Sequence, residues 1–121
     1  MTARLVHDSH SRLITSDATD PAAGGMAHHY LIEIPVADAR GNVAVEVEFQ
    51  HGPIREVGVN GMQHADLYRV LIDRLTCAQA GPFACDENGR QLALLQEALR
   101  IDEARTARRQ AAGTEGRNIG T

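Results

Sequence analysis

The sequence predicts an α+β fold, a small N-terminal antiparallel β-sheet followed by a C-terminal two-helix hairpin. Three observations carry this expectation. HHYLIEIPV (28–36) and VAVEVEF (43–49) alternate apolar and polar residues with period two, the pattern of strands with one wet face. From residue 65 the apolar period changes to that of a helix, and a second helical pattern begins near residue 86. Gly-Pro and Asn-Gly pairs punctuate the chain between these runs.

Taken in order, residues 1–26 read as a flexible arm, or as a short strand followed by a linker, because they are polar and end in DATDPAAGGM. Residues 27–121 read as a single domain, with the sheet in 27–61 and the hairpin in 64–112. The first clear strand puts Tyr30, Ile32, Ile34 and Val36 on one face. ADARGN is a turn. The next strand puts Val43, Val45, Val47 and Phe49 inward and Ala44, Glu46 and Glu48 outward. After Gly52-Pro53, IREVGVNG (54–61) reads as a further short strand closed by an Asn60-Gly61 turn. In ADLYRVLIDRLTCAQA, Leu67, Val70, Leu71 and Leu75 share a helical face. GPFAC interrupts the pattern, and Pro82 excludes continuation of the first helix. Asp86 is the expected N-cap of the second helix. Leu92, Leu95 and Leu99 form one stripe of that helix, with Leu94, Ala98 and Ile101 beside it, and Gly113 stops it. The tail TEGRNIGT is polar. A stripe this wide on so short a hairpin implies at least a dimer.

Composition narrows the function. The chain has 121 residues, 12 basic and 16 acidic, and a formal net charge of -4. That balance argues against a binder of long nucleic acid but leaves room for a small anion in a local basic pocket. No apolar run approaches a membrane span and the N-terminus has no signal-peptide core, so a cytosolic protein is expected. Cys77 and Cys85 read as reduced packing residues. The catalytic search is thin. His28 and His29 are adjacent and point to opposite faces of a strand, and His7, His10, His51 and His64 are scattered. Zinc-ligand spacings, nucleophile motifs and phosphate loops are all lacking. No enzyme, metal or cofactor is expected.

The binding candidates are clearer. Phe83 is one of only two Phe in a chain without Trp, yet it sits in a Gly-Pro turn. It is either a hairpin plug or a stacking platform for a base. Arg105, Arg108 and Arg109 share a helical face and could clamp a pyrophosphate, although Arg near a helix C-terminus also simply complements the dipole. Arg55, Asn60 and Asn88 are further polar candidates, with Asn88 also suited to a local cap. Phe83 and the Arg cluster lie near opposite ends of one long helix, so a Phe–base–Arg sandwich requires two antiparallel copies.

EFQHGPIREVGVNG (48–61), LIDRL (71–75), GPFACDEN (81–88) and ARTARRQAAGTEG (104–116), in that order, resemble the phage Thoeris anti-defence one family of signal-sequestering sponge proteins. The resemblance covers residues from about 46 to 116. It implies a phage protein acting in the cytoplasm of the bacterial host, which binds glyco-cyclic ADP-ribose made by TIR-domain enzymes and holds it without cleavage. It also implies a homodimer or homohexamer with the pocket between protomers. There the adenine stacks between an aromatic, matched here by Phe83, and an Arg among Arg105, Arg108 and Arg109, with Asn88 at a matching polar position. Some members also hold cyclic trinucleotides. The anti-CBASS two sponges for cyclic dinucleotides share the hairpin but lack the sheet. The alternatives are therefore a cyclic di- or trinucleotide sponge and a phage assembly protein that binds no ligand.

Overall fold

The computed structural model describes residues 4–36 and 41–116. It has the expected α+β composition, and its contacts divide into two compact units, Met1–Met62 and Gln63–Thr121. Residues 37–40 of the ADARGN turn and 117–121 of the tail lie outside the described residues.

The first unit is a four-stranded antiparallel meander of β1 (Arg4–Ser9), β2 (Arg12–Ser16), β3 (His29–Pro35) and β4 (Asn42–Glu48), in sequence order. The pairings Tyr30↔Val47, Ile32↔Val45 and Ile34↔Val43 keep the two alternating runs in phase, so their apolar residues share a face. β2 extends this face with Ile14 opposite Ile32. Residues expected to form an arm thus supply two strands. Their own apolar content is too sparse for a periodic signal, and pairing orders them, β2 against β3 and β1 against β2.

The expected third strand over 54–61 is not formed. Ile54–Val57 is instead one helical turn, α1, entered through extended Pro53 and ended by Gly58 at φ 78°. Pro53 has no N–H to give a ladder, and its carbonyl accepts from Glu56 and Val57. The chain then returns to the sheet at Met62, which donates to the Glu48 carbonyl (2.9 Å) and accepts from Gln50 N–H (2.9 Å). Gly61 is required at this return. A Cβ there would land on the Phe49 backbone carbonyl and lie 2.7 Å from the Gln50 nitrogen.

The second unit is the hairpin of α2 (His64–Gln79) and α3 (Asp86–Ala111). Gln63 and Asp66 form a capping box that starts α2. Gln79 closes the turn by exchanging two hydrogen bonds with the Cys85 backbone, at 2.9 and 3.0 Å. The Arg69–Glu103 pair (3.5 Å) lies toward the open end, which makes the helices antiparallel. Half-buried residues recur at spacings of four and three: Tyr68, Ile72, Leu75 and Gln79 on α2, and Asn88, Leu92, Leu95, Leu99 and Asp102 on α3. That is the seam of a coiled-coil-like pair. Val70 and Leu71, expected on the buried face, are exposed, because the seam takes Tyr68 and Ile72 instead.

Little apolar surface is sealed within one chain. Among the described residues the buried apolar side chains are Ala27 and Ala65, whereas Val70, Leu94 and Ile101 are each more than 60% exposed. The N-cap of α3 is Cys85 rather than Asp86, its Sγ accepting from Asn88 N–H at 3.4 Å. Cys77 and Cys85 are free and exposed rather than packed.

Candidate functional site

The sheet unit carries one cluster of polar side chains, and the hairpin unit carries candidates at the two ends of α3. In the sheet unit, the end of β2, the start of β3 and the segment after β4 meet around Asp17. Its Oδ1 accepts the N–H groups of His28 (3.0 Å) and His29 (3.2 Å), fixing the start of β3. Desolvation raises the pKa of this carboxyl. The two N–H bonds and the neighbouring imidazoles outweigh that effect and hold it below its usual value. His28 is buried, at 6% exposure, and its ring stacks on that of His51 with centroids 4.1 Å apart and planes 12° from parallel. His51 Nε2 lies 2.9 Å from Asp20 Oδ2, and this hydrogen bond is the main cause that lowers the Asp20 pKa. Nε2 of His28 is buried with no hydrogen-bond partner among the described residues. Leaving such a group unpaired costs about 1–3 kcal/mol.

His51 is placed by an amide clamp. Asn60 accepts from its N–H (2.8 Å) and donates to its carbonyl (2.7 Å), as a strand neighbour would. Gln50 accepts from Asn60 N–H and donates to the carbonyls of Gly52 and Gly58, closing the loop around α1. Asp17, His28, His51 and Asn60 contribute to the lining of an open depression of about 260 Å³. Arg55 is exposed on α1, not on a strand.

In the hairpin unit, Phe83 sits in the α2–α3 turn with 80% of its surface exposed. It therefore fills no space within its own hairpin. Asn88 donates from Nδ2 to the Phe83 carbonyl (3.4 Å), tying the first turn of α3 to the turn that presents the ring. The three arginines at the far end of α3 differ. Arg105 and Arg108 are exposed. Arg109 is 4% exposed, donates from an Nη to the Thr114 carbonyl (2.7 Å), and pairs through Nε with Glu115 (3.4 Å). Its guanidinium thus pins the chain that turns back after Gly113, where φ is 72°. With 26 residues in α3, about 39 Å separates the helix ends, so one chain does not bring Phe83 and these arginines together.

No family model matches the chain. A protein of Bacillus phage SBSphiJ7 named Thoeris anti-defense 1 is 40% identical over 84 residues, 69% of this chain. The chain belongs to the Thoeris anti-defence 1 family. It spans 58% of the length of that phage relative.

In this Thoeris anti-defence 1 protein, Phe83 and the Arg run stand out by residue type, whereas the histidine cluster does not. His28 and His51 are 23 positions apart and Asp20 lies on a further loop. Only the register of β3 against β4 and the Asn60 clamp bring them together, with one donor atom from each residue within 4.8 Å of the others. The burial of Arg109 was also missed. The signal available for it was Gly113 followed by a hydroxyl and a carboxylate, Thr114 and Glu115, which a reversing chain can return to the helix end.

Proposed function

We propose that this chain is an anti-defence sponge. It binds a cyclic ADP-ribose isomer, glyco-cyclic ADP-ribose, in the cytoplasm of the bacterial host and holds it without cleavage, so that TIR-dependent Thoeris immunity is not triggered. The observation that carries the proposal is the 40% identity to Thoeris anti-defense 1 of a Bacillus phage. Two features of the chain support it. A ring as large as Phe83 is left bare on a turn braced by Asn88, Gln79 and the start of α3, which suits a platform for a base. Arg105 and Arg108 are exposed, and guanidinium groups pair with phosphate oxygens.

The length of α3 supports one way of combining these parts. A sandwich of Phe83, base and arginine needs a second copy running antiparallel, which places the pocket between protomers. The exposed Val70, Leu94 and Ile101, with so small a core in one chain, supply apolar surface for a homodimer or homohexamer. Arg109 serves this pocket by fixing the end of α3, and Arg55 lies in the other unit.

A signal-transfer experiment tests the reading. The product of a TIR-domain enzyme is incubated with the protein and filtered, and the filtrate is added to a Thoeris effector. Sequestration predicts no effector activity in the filtrate and full activity after the retained protein is boiled. Activity in the first filtrate, or none after boiling, refutes a sponge.

A further inference from the structure

We infer that Asp20, His28 and His51 form a binding site in the sheet unit for a divalent transition-metal cation of the zinc class. The three residues offer one carboxylate oxygen and two imidazole nitrogens within 4.8 Å of one another. Two nitrogen ligands and one carboxylate suit zinc-like ions and are poor for calcium or magnesium, which take oxygen donors.

Several independent features point the same way. His28 is 94% buried by its 6% exposure, and its Nε2 has no partner within the described structure. In the tautomer protonated at Nδ1, that buried nitrogen carries a lone pair that no hydrogen bond occupies. The Asp20–His51 separation of 2.9 Å is already close to the distance between two ligands of a tetrahedral zinc, about 3.3 Å for bonds of about 2.0–2.1 Å. The widest donor separation, at most 4.8 Å, must close by up to about 1.5 Å, and the stacked His28 and His51 rings must turn so that their in-plane lone pairs converge on one ion.

The supporting residues hold the ligands in place from outside. Asp17 fixes the His28 backbone, Asn60 fixes the His51 backbone, and Asp20 Oδ1 caps the short 3-10 turn at Pro21–Ala23 while Oδ2 faces His51. The three ligands come from three places: the loop after β2, the residue before β3 and the loop after β4. A cation here would cross-link the end of a sheet that has one buried apolar side chain, Ala27, among its described residues. With three protein ligands, a fourth position is left for water.

The test is titration of the full chain, stripped with a chelator, with zinc chloride and separately with magnesium chloride, followed by calorimetry. The expected result is one zinc per chain, no saturable magnesium binding, and a rise in melting temperature with zinc. Asp20→Asn keeps the cap acceptor and removes the charged ligand, and His51→Gln removes an exposed one. Each is expected to weaken zinc binding by at least about 100-fold, exceeding the 10–100-fold typical of losing an outer hydrogen-bonding partner of a ligand. Cobalt substitution adds a reading on coordination, with the d–d bands of a four- or five-coordinate ion expected in the wild type and lost in both variants. Absence of stoichiometric zinc binding overturns the inference. So does zinc binding that persists in both variants while circular dichroism shows them folded, since the exposed Cys77 and Cys85 thiols or other histidines would then be the ligands.

Discussion

Replacing Phe83 by Ala separates a stacking platform from a hairpin plug. The ring is 80% exposed, so about one fifth of the roughly 200 Å² that a Phe offers is buried within the chain. At about 25 cal/mol per Å², that is about 1 kcal/mol of stability. A plug removed from a packed interior would cost about 3–5 kcal/mol. Base stacking on an aromatic side chain is worth about 1–3 kcal/mol, or about 5- to 150-fold in affinity. Phe83→Ala is therefore expected to shift the urea midpoint little and to weaken glyco-cyclic ADP-ribose binding by that factor. Calorimetry and denaturation on the same preparation read both, with light scattering to confirm an unchanged oligomer. Unaltered affinity in a folded variant of unchanged assembly would refute the reasoning.

Three further outcomes follow from the same geometry. Arg109→Ala is expected to lower stability by about 2 kcal/mol, under the range for a fully buried pair because Glu115 is a quarter exposed, whereas Arg105→Ala and Arg108→Ala stay within about 0.5 kcal/mol. Chemical denaturation checks this, and ligand binding by the last two variants reports on contact rather than on folding. Gly61→Ala is expected to destabilise the sheet unit by several kcal/mol, because the new Cβ meets the Phe49 and Gln50 backbone and must displace it. Hydrogen exchange across 48–62 would show lost protection. The folded-state pKa values of Asp17 and Asp20 are depressed, so their contribution is present above the ordinary carboxylate pKa of about 4 and lost as pH falls through the lower folded value. Urea midpoints of chelator-treated protein should fall below about pH 4, and Asp17→Asn should flatten that limb.

How much was legible in the sequence depended on whether the determining interactions were local. The α2–α3 hairpin and the β3–β4 pair declare themselves through period and turn residues, since in each the partner is the next element in sequence. β1 and β2 do not, because their partner supplies the order. IREVGVNG reads as a strand between two turn signals, but Pro53 and Gly58 confine Ile54–Val57 to a single helical turn. In the hairpin, Phe83 and the Arg run were conspicuous by residue type. Nothing local distinguishes Arg109 from Arg105 or Arg108 until the chain returns after Gly113 to cover it. Asp20, His28 and His51 converge only through sheet register and loop closure, so no spacing rule could find them.

The most direct test of the account is a calorimetric titration of the purified protein with glyco-cyclic ADP-ribose, followed by heating and analysis of what is released. The account predicts nanomolar affinity, about -12 kcal/mol, pockets shared between protomers, and intact ligand recovered in full. Absence of binding heat, or recovery of a cleaved product, would contradict it.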